Sequence, residues 1–79
     1  MMKEEKIQPQ DLVSEQSVLG AVMMSKDALA IVAGKLKSFH FYKQAHGRIF
    51  EAILRLSAKN EPVDLVTVAS ELSKLNALE

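Results

Sequence analysis

Cysteine is absent from the 79 residues, so neither a disulfide framework nor a thiolate metal site is open to this chain, and an intracellular setting is the default. Aromatics are scarce, with three Phe, one Tyr and no Trp. No apolar run approaches the roughly 18 residues that a membrane-spanning helix needs, and the charged first ten residues lack the apolar segment of a signal peptide. The sequence therefore reads as cytoplasmic, with no membrane partner. Gly20, Gly34 and Gly47 are isolated, and none opens a glycine-rich loop ending in Lys followed by Ser or Thr. That excludes the usual phosphate cradle, so no nucleotide or other cofactor is expected in this segment. His40 and His46 have no second His, Cys or paired carboxylate at ligand spacing, which argues against a metal site. Asp11, Asp27 and Asp64 stand at helix starts, where capping already accounts for them, and no Ser/His/Asp arrangement results. No catalytic residue is expected.

What is present is an ordinary soluble mixture, 48% hydrophobic and 25% charged, in which Ala, Leu, Val, Lys, Glu and Ser favour helices. A domain of this length buries only about 60% of its unfolded surface, so a lone monomer is marginal and partners or further chain are expected. Formal charge is zero, but its distribution is uneven. Lys35, Lys37, Lys43, Arg48, Arg55 and Lys59 face Glu51 alone through the middle of the chain, whereas Glu61, Asp64, Glu71 and Glu79 face Lys74 near its end. A solvated basic helix face is the simple explanation. The basic stretch has no aromatic stacking row beside it in this reading, so binding to DNA is expected to be weak.

Residues 1–10 carry two Lys, two Glu and a Pro without apolar periodicity and read as a flexible leader, with a helical domain over 11–79. Asp11 is the expected N-cap of a first helix whose Leu12, Leu19, Val22 and Met23 form one stripe, with Glu15 and Gln16 at its edge and Gly20 admitting a close helix neighbour. Ser25 caps a second helix with Leu29, Val32, Ala33 and Leu36 inward. Phe39, Phe41 and Tyr42 read as a hydrophobic plug before a central third helix, about 43–58, striped by Ala45, Ile49, Ile53 and Leu56 and widened by Phe50 and Leu54. Asn60 tolerates the left-handed backbone that ends a helix, and Pro62 cannot easily continue one. Asp64 caps a fourth helix, 65 to about 75, with Leu65, Val68, Ala69, Leu72 and Leu75 inward. The fold class is all-α, a compact bundle of about four short helices whose core includes Leu19, Val22, Phe41, Ile49, Phe50, Ile53 and Leu72.

Residue order then adds what periodicity does not. Ile7-Gln8-Pro9-Gln10, Glu15-Gln16-Ser17-Val18-Leu19-Gly20-Ala21-Val22, Phe41-Tyr42-Lys43-Gln44-Ala45-His46-Gly47-Arg48-Ile49-Phe50 and Glu61-Pro62-Val63-Asp64-Leu65-Val66-Thr67-Val68 together resemble the N-terminal domain of bacterial replicative DNA helicases of the DnaB type, in order and separation. The resemblance implies a collar domain that pairs with copies of itself within a hexameric ring and helps to recruit primase, with a helicase loader as a further partner. It also implies a parent whose separate C-terminal motor binds ATP and Mg and unwinds DNA at the replication fork. Leu19, Phe41, His46, Ile49, Phe50 and Asp64 fall on recurrent positions and read as scaffold, His46 as a hydrogen-bonding residue toward a neighbouring loop. Val13, His40 and Asn60 depart from the residues common in the family. The family continues with a helical hairpin that is missing after Glu79, so the chain reads as truncated on that side.

Two other readings stand beside this one. The 64–72 stretch resembles the first helix of a helix-turn-helix DNA-binding protein, though no recognition helix follows. The helicase-interacting domain of primase is also helical, but the blocks at 15–20 and 61–68 match the helicase better. Val13, Val18, Met24, Leu54, Val66 and Leu78 fall off the inward faces assigned above, more apolar surface than four short helices readily hide. Met23, Met24 and Leu78 are the expected partner-binding residues, methionine being adaptable to an irregular surface.

Overall fold

Helical periodicity interrupted by Ser25, by the aromatic junction and by Asn60-Glu61-Pro62 yields four α-helices in the computed structural model, which describes residues 12–78 and the side chains of residues 12–76. They are α1 (Leu12–Met24), α2 (Lys26–Ala33), α3 (Gln44–Ala58) and α4 (Leu65–Leu78), with a 3-10 turn at Ser38–His40. The domain is all-α. The expected leader and the Asp11 cap lie outside the described residues.

Each helix break has a local cause. Ser25, extended at φ −144°, ends α1 and caps α2 by accepting the Ala28 N–H at 3.1 Å, so the two helices meet with a single residue between them. Asn60 takes φ 62° after α3, and the Glu61 N–H returns to the Leu56 carbonyl at 2.9 Å, closing the helix through a left-handed residue. Asp64 Oδ1 accepts the Thr67 N–H while Thr67 Oγ1 accepts the Asp64 N–H, both at 2.9 Å, a reciprocal cap for α4.

The core gathers on α3. Phe50, Ala52, Ile53 and Leu56 are buried there against Leu19 and Val22 of α1, Leu29 of α2 and Val68 and Leu75 of α4. Phe41 enters from the loop, its ring centroid 5.2 Å from that of Phe50 at a tilt of 42°. Ile49 and Leu72, expected in the core, pack against it half-buried. Both differences come from helix phase. On α3 the buried face turns toward His46 and Gly47 and leaves Ala45 exposed; on α4 it centres on Val68, Glu71 and Leu75, leaving Ala69 exposed and Leu72 at the edge. Leu65 shares that face of α4 but stands in its first turn and is 76% exposed.

The expected aromatic plug is narrower than the sequence implied. Phe41 alone fills the core, while Phe39 and Tyr42 project outward at 67% and 50% exposure. Tyr42 follows Phe41 across extended backbone and so turns to the opposite side, while Phe39 lies within the 3-10 turn that precedes it. Gly20 has no atom within 4 Å of the position a Cβ would take, so no helix approaches there. The close approach is at Gly47, where an added Cβ would lie 2.5 Å from the Ser38 carbonyl oxygen, and the 3-10 turn rests against the start of α3 through that gap.

Candidate partner-docking groove

Two buried carboxylates fix the helices that frame the surface. Glu15 is fully buried on α1, and its Oε1 lies 2.6 Å from His46 Nδ1 on α3 while Oε2 accepts the Tyr42 N–H at 2.6 Å. The Lys43 N–H donates to Oε1 at 3.4 Å. An ionised carboxylate only accepts, so Nδ1 carries the proton in this bond. Burial pushes the Glu15 carboxyl up, but the hydrogen bonds from His46, Tyr42 and Lys43 outweigh it and hold the group below the ordinary glutamate range. The sequence reading put Glu15 at the edge of its stripe and sent His46 to a loop; instead they bond to each other and stitch α1 to the N-terminus of α3, where an anion is favoured.

Glu71 is the second. Its side chain on α4 accepts Arg55 Nε at 3.1 Å from the last turn of α3 and Lys59 Nζ at 3.0 Å from the residue that follows it, with Lys74 Nζ 3.9 Å away. The Lys59 bond leads in holding its pKa below the ordinary range, aided by Arg55 against the opposing effect of burial. Part of the basic middle of the chain is thereby neutralised internally. Both acids were detectable in principle: Glu15 precedes Leu19 and Val22 by four and seven, and Glu71 lies three after Val68 and four before Leu75, each in phase with its apolar stripe.

Between the α1–α2 corner and the α3–α4 connection runs a groove of about 460 Å³ with Val22, Met23, Leu29, Pro62 and Val63 along it and Met24 at its lip. Met24 is 89% exposed at the last position of α1, and Met23 is half-buried against the core. Rigid breaks at Ser25 and Asn60 bound the groove, and the rim carries Lys26 and Glu61. Its lining is mainly apolar, with thioethers at one edge and Ser25, Ser57 and Asn60 interspersed, and suits an amphipathic helix face or loop of another protein. Leu78, the third expected partner residue, lies at the far end of α4, and its side chain is outside the described residues. Val13, Val66 and Ile31 add exposed apolar surface. No group of three or more His, Cys, Asp or Glu placed to hold a metal ion occurs among the described residues, and no helix among them is long and apolar enough to cross a membrane.

Comparison with known proteins bears on the same residues. Residues 7–79 match the family described as the DnaB-like helicase N terminal domain. The chain is 51% identical over 70 residues to the replicative DNA helicase DnaB of Mycobacterium leprae, covering 89% of this chain and 12% of that protein. It is 47% identical over 75 residues to the replicative DNA helicase DnaB of Geobacillus stearothermophilus, covering 95% and 16%. The crystal structure of the N-terminal domain of DnaB helicase from Mycobacterium tuberculosis superposes with a TM-score of 0.80 at 50% identity, over 86% of this chain and 49% of that one. The chain thus spans less than a fifth of the length of these full-length relatives and about half of the solved domain.

Proposed function

This chain belongs to the DnaB-like helicase N terminal domain family, and from that membership we propose that it is a non-catalytic assembly and recruitment module of a replicative DNA helicase. The observation that carries the reading is outward apolar surface on a rigid frame: Met24 at the lip of a groove closed by a Ser25 cap and an Asn60 turn, with Ile31, Leu65 and Val66 also exposed. Such surface favours cover by another protein. The partners it serves are further copies of the same domain, paired within a hexameric ring, and primase, with a helicase loader as a third. Unwinding, ATP and Mg belong in this reading to a separate motor of the parent, which acts in the cytoplasm. The named relatives are helicases, which favours this reading over the helicase-interacting domain of primase. The reciprocal cap at Asp64 and Thr67 and the inward ties of Glu71 explain α4 as a scaffold helix without a helix-turn-helix role.

Titrating the labelled chain with the isolated C-terminal helical domain of a primase, followed by amide shifts, tests the recruitment reading. Perturbations should cluster on residues 23–33 and 60–63 and weaken in Met24→Glu. Shifts confined to α3, or no shifts at millimolar primase domain, would reject the groove as the docking site.

A further inference from the structure

Residues 28–50 contain no acidic side chain, an interval of the chain where Lys35, Lys37 and Lys43 alternate with Phe39, His40 and Tyr42. Of the four aromatic residues, Phe41 and Phe50 pack against each other in the core and the other two, Phe39 and Tyr42, are both exposed in this loop. The three lysines are exposed and join no ion pair among the described residues, unlike Lys59, Lys74 and Arg55, which close on Glu71.

The loop is held, not loose. Glu15 takes the Tyr42 and Lys43 N–H groups, His40 Nδ1 accepts the Lys37 N–H at 2.9 Å, and the Ser38 carbonyl abuts Gly47. Its two outward rings are therefore presented at fixed positions while contributing little burial to the domain. Beside them is a shallow groove of about 470 Å³ whose lining includes Phe39, Tyr42, Gln44, Gly47, Arg48 and Glu51. A loop that carries unneutralised lysines together with two exposed rings offers the chemistry that single-stranded nucleic acid needs, where phosphates meet cations and unpaired bases stack on aromatic faces. A protein partner would use the rings but has no need of a segment free of carboxylates.

We propose that the loop over residues 35–43 is a contact site for single-stranded nucleic acid. Phe39 and Tyr42 stack with bases, and Lys35, Lys37 and Lys43 hold the phosphates, without sequence preference. The site lies on residues distinct from the Met24 groove, so it stands or falls independently of the recruitment reading.

The test is fluorescence anisotropy of a labelled oligothymidylate of about 15 nucleotides titrated with the chain at about 50 mM salt. The expected dissociation constant is about 10⁻⁴ M or tighter, rising with salt as phosphate contacts predict. Phe39→Ala and Tyr42→Ala should each weaken binding about tenfold, the size expected for loss of one base stack, with melting curves close to wild type because both rings are exposed. Ser73→Ala, on the exposed side of α4, should leave binding unchanged. Three results would each overturn the proposal: equal affinity for a duplex of the same length, equal affinity for polyglutamate, or a Phe39→Ala/Tyr42→Ala double variant that is folded and binds like the wild type.

Discussion

Removing the Glu15 carboxylate should take away a large share of the domain's stability. Glu15→Ala takes a fully buried anion from three donors at once, the Tyr42 and Lys43 N–H groups and His46 Nδ1. A hydrogen bond to a charged group contributes about 1.5–3 kcal/mol, and breaking a buried ionic pair by removing one partner costs about 3–5 kcal/mol because the other is left without compensation. The lower half of that range fits best, since the Lys43 bond is long at 3.4 Å and the Tyr42 and Lys43 N–H groups are near enough to the surface to find water. A cost of about 3 kcal/mol compares with a total of roughly 4–12 kcal/mol for a chain this long and should lower the melting temperature by about 12 °C or more. Glu15→Gln retains one acceptor and should lose about half as much. Because the Glu15 pKa is lowered in the folded state, its stabilisation is complete above the unfolded value near 4.5 and is lost as pH falls from there through the folded pKa. Wild type and Glu15→Gln should therefore converge in stability as the solution is acidified below that value. Thermal melts by circular dichroism at neutral and acid pH measure this. A Glu15→Ala melt within a few degrees of wild type, or a Glu15→Gln difference that stays constant down to pH 3, would refute the reasoning.

Phe50→Ala should cost about 3–5 kcal/mol, whereas Ile49→Ala, half-buried at the edge of the same helix, should cost about 1–2 kcal/mol; denaturant titration of the two variants fixes the phase of α3, and equal losses would show it misassigned. Gly20→Ala should stabilise by about 0.5–1 kcal/mol, since a helical glycine with open space around it has only propensity to gain. Gly47→Ala should destabilise by about 1–3 kcal/mol through collision with the Ser38 carbonyl, and opposite shifts in melting temperature check the pair. Asn60→Val should cost about 1–2 kcal/mol because a β-branched residue resists the φ of 62°, while Asn60→Gly should be tolerated.

Helix number, the breaks at Ser25 and Asn60 and the inward placement of Leu19, Val22, Phe50 and Ile53 were legible from spacing and capping chemistry, because those depend on residues near one another in sequence. What depended on distant partners was not. Glu15 read as an edge residue and Glu71 only as part of an acidic end until His46, Arg55 and Lys59 were brought to them by packing, and the buried faces of α3 and α4 turn away from Ala45 and Ala69. Gly20 and Gly47 looked alike in sequence, yet only the second meets a neighbour, since which glycine is crowded is decided by where the 3-10 turn lands. The outward placement of Met24 was anticipated from its position off the stripe. That of Phe39 and Tyr42 was not, as hydrophobicity alone gives no direction in a loop.

Light scattering of the chain from micromolar to millimolar concentration, with Met24→Glu alongside, tests the central claim that outward apolar surface at the α1–α2 corner drives assembly. The account predicts that the average mass of the wild type rises with concentration while Met24→Glu, with an unchanged melt, stays nearer to the monomer. A wild type that remains strictly monomeric at millimolar concentration, or a Met24→Glu variant that associates equally well, would contradict it.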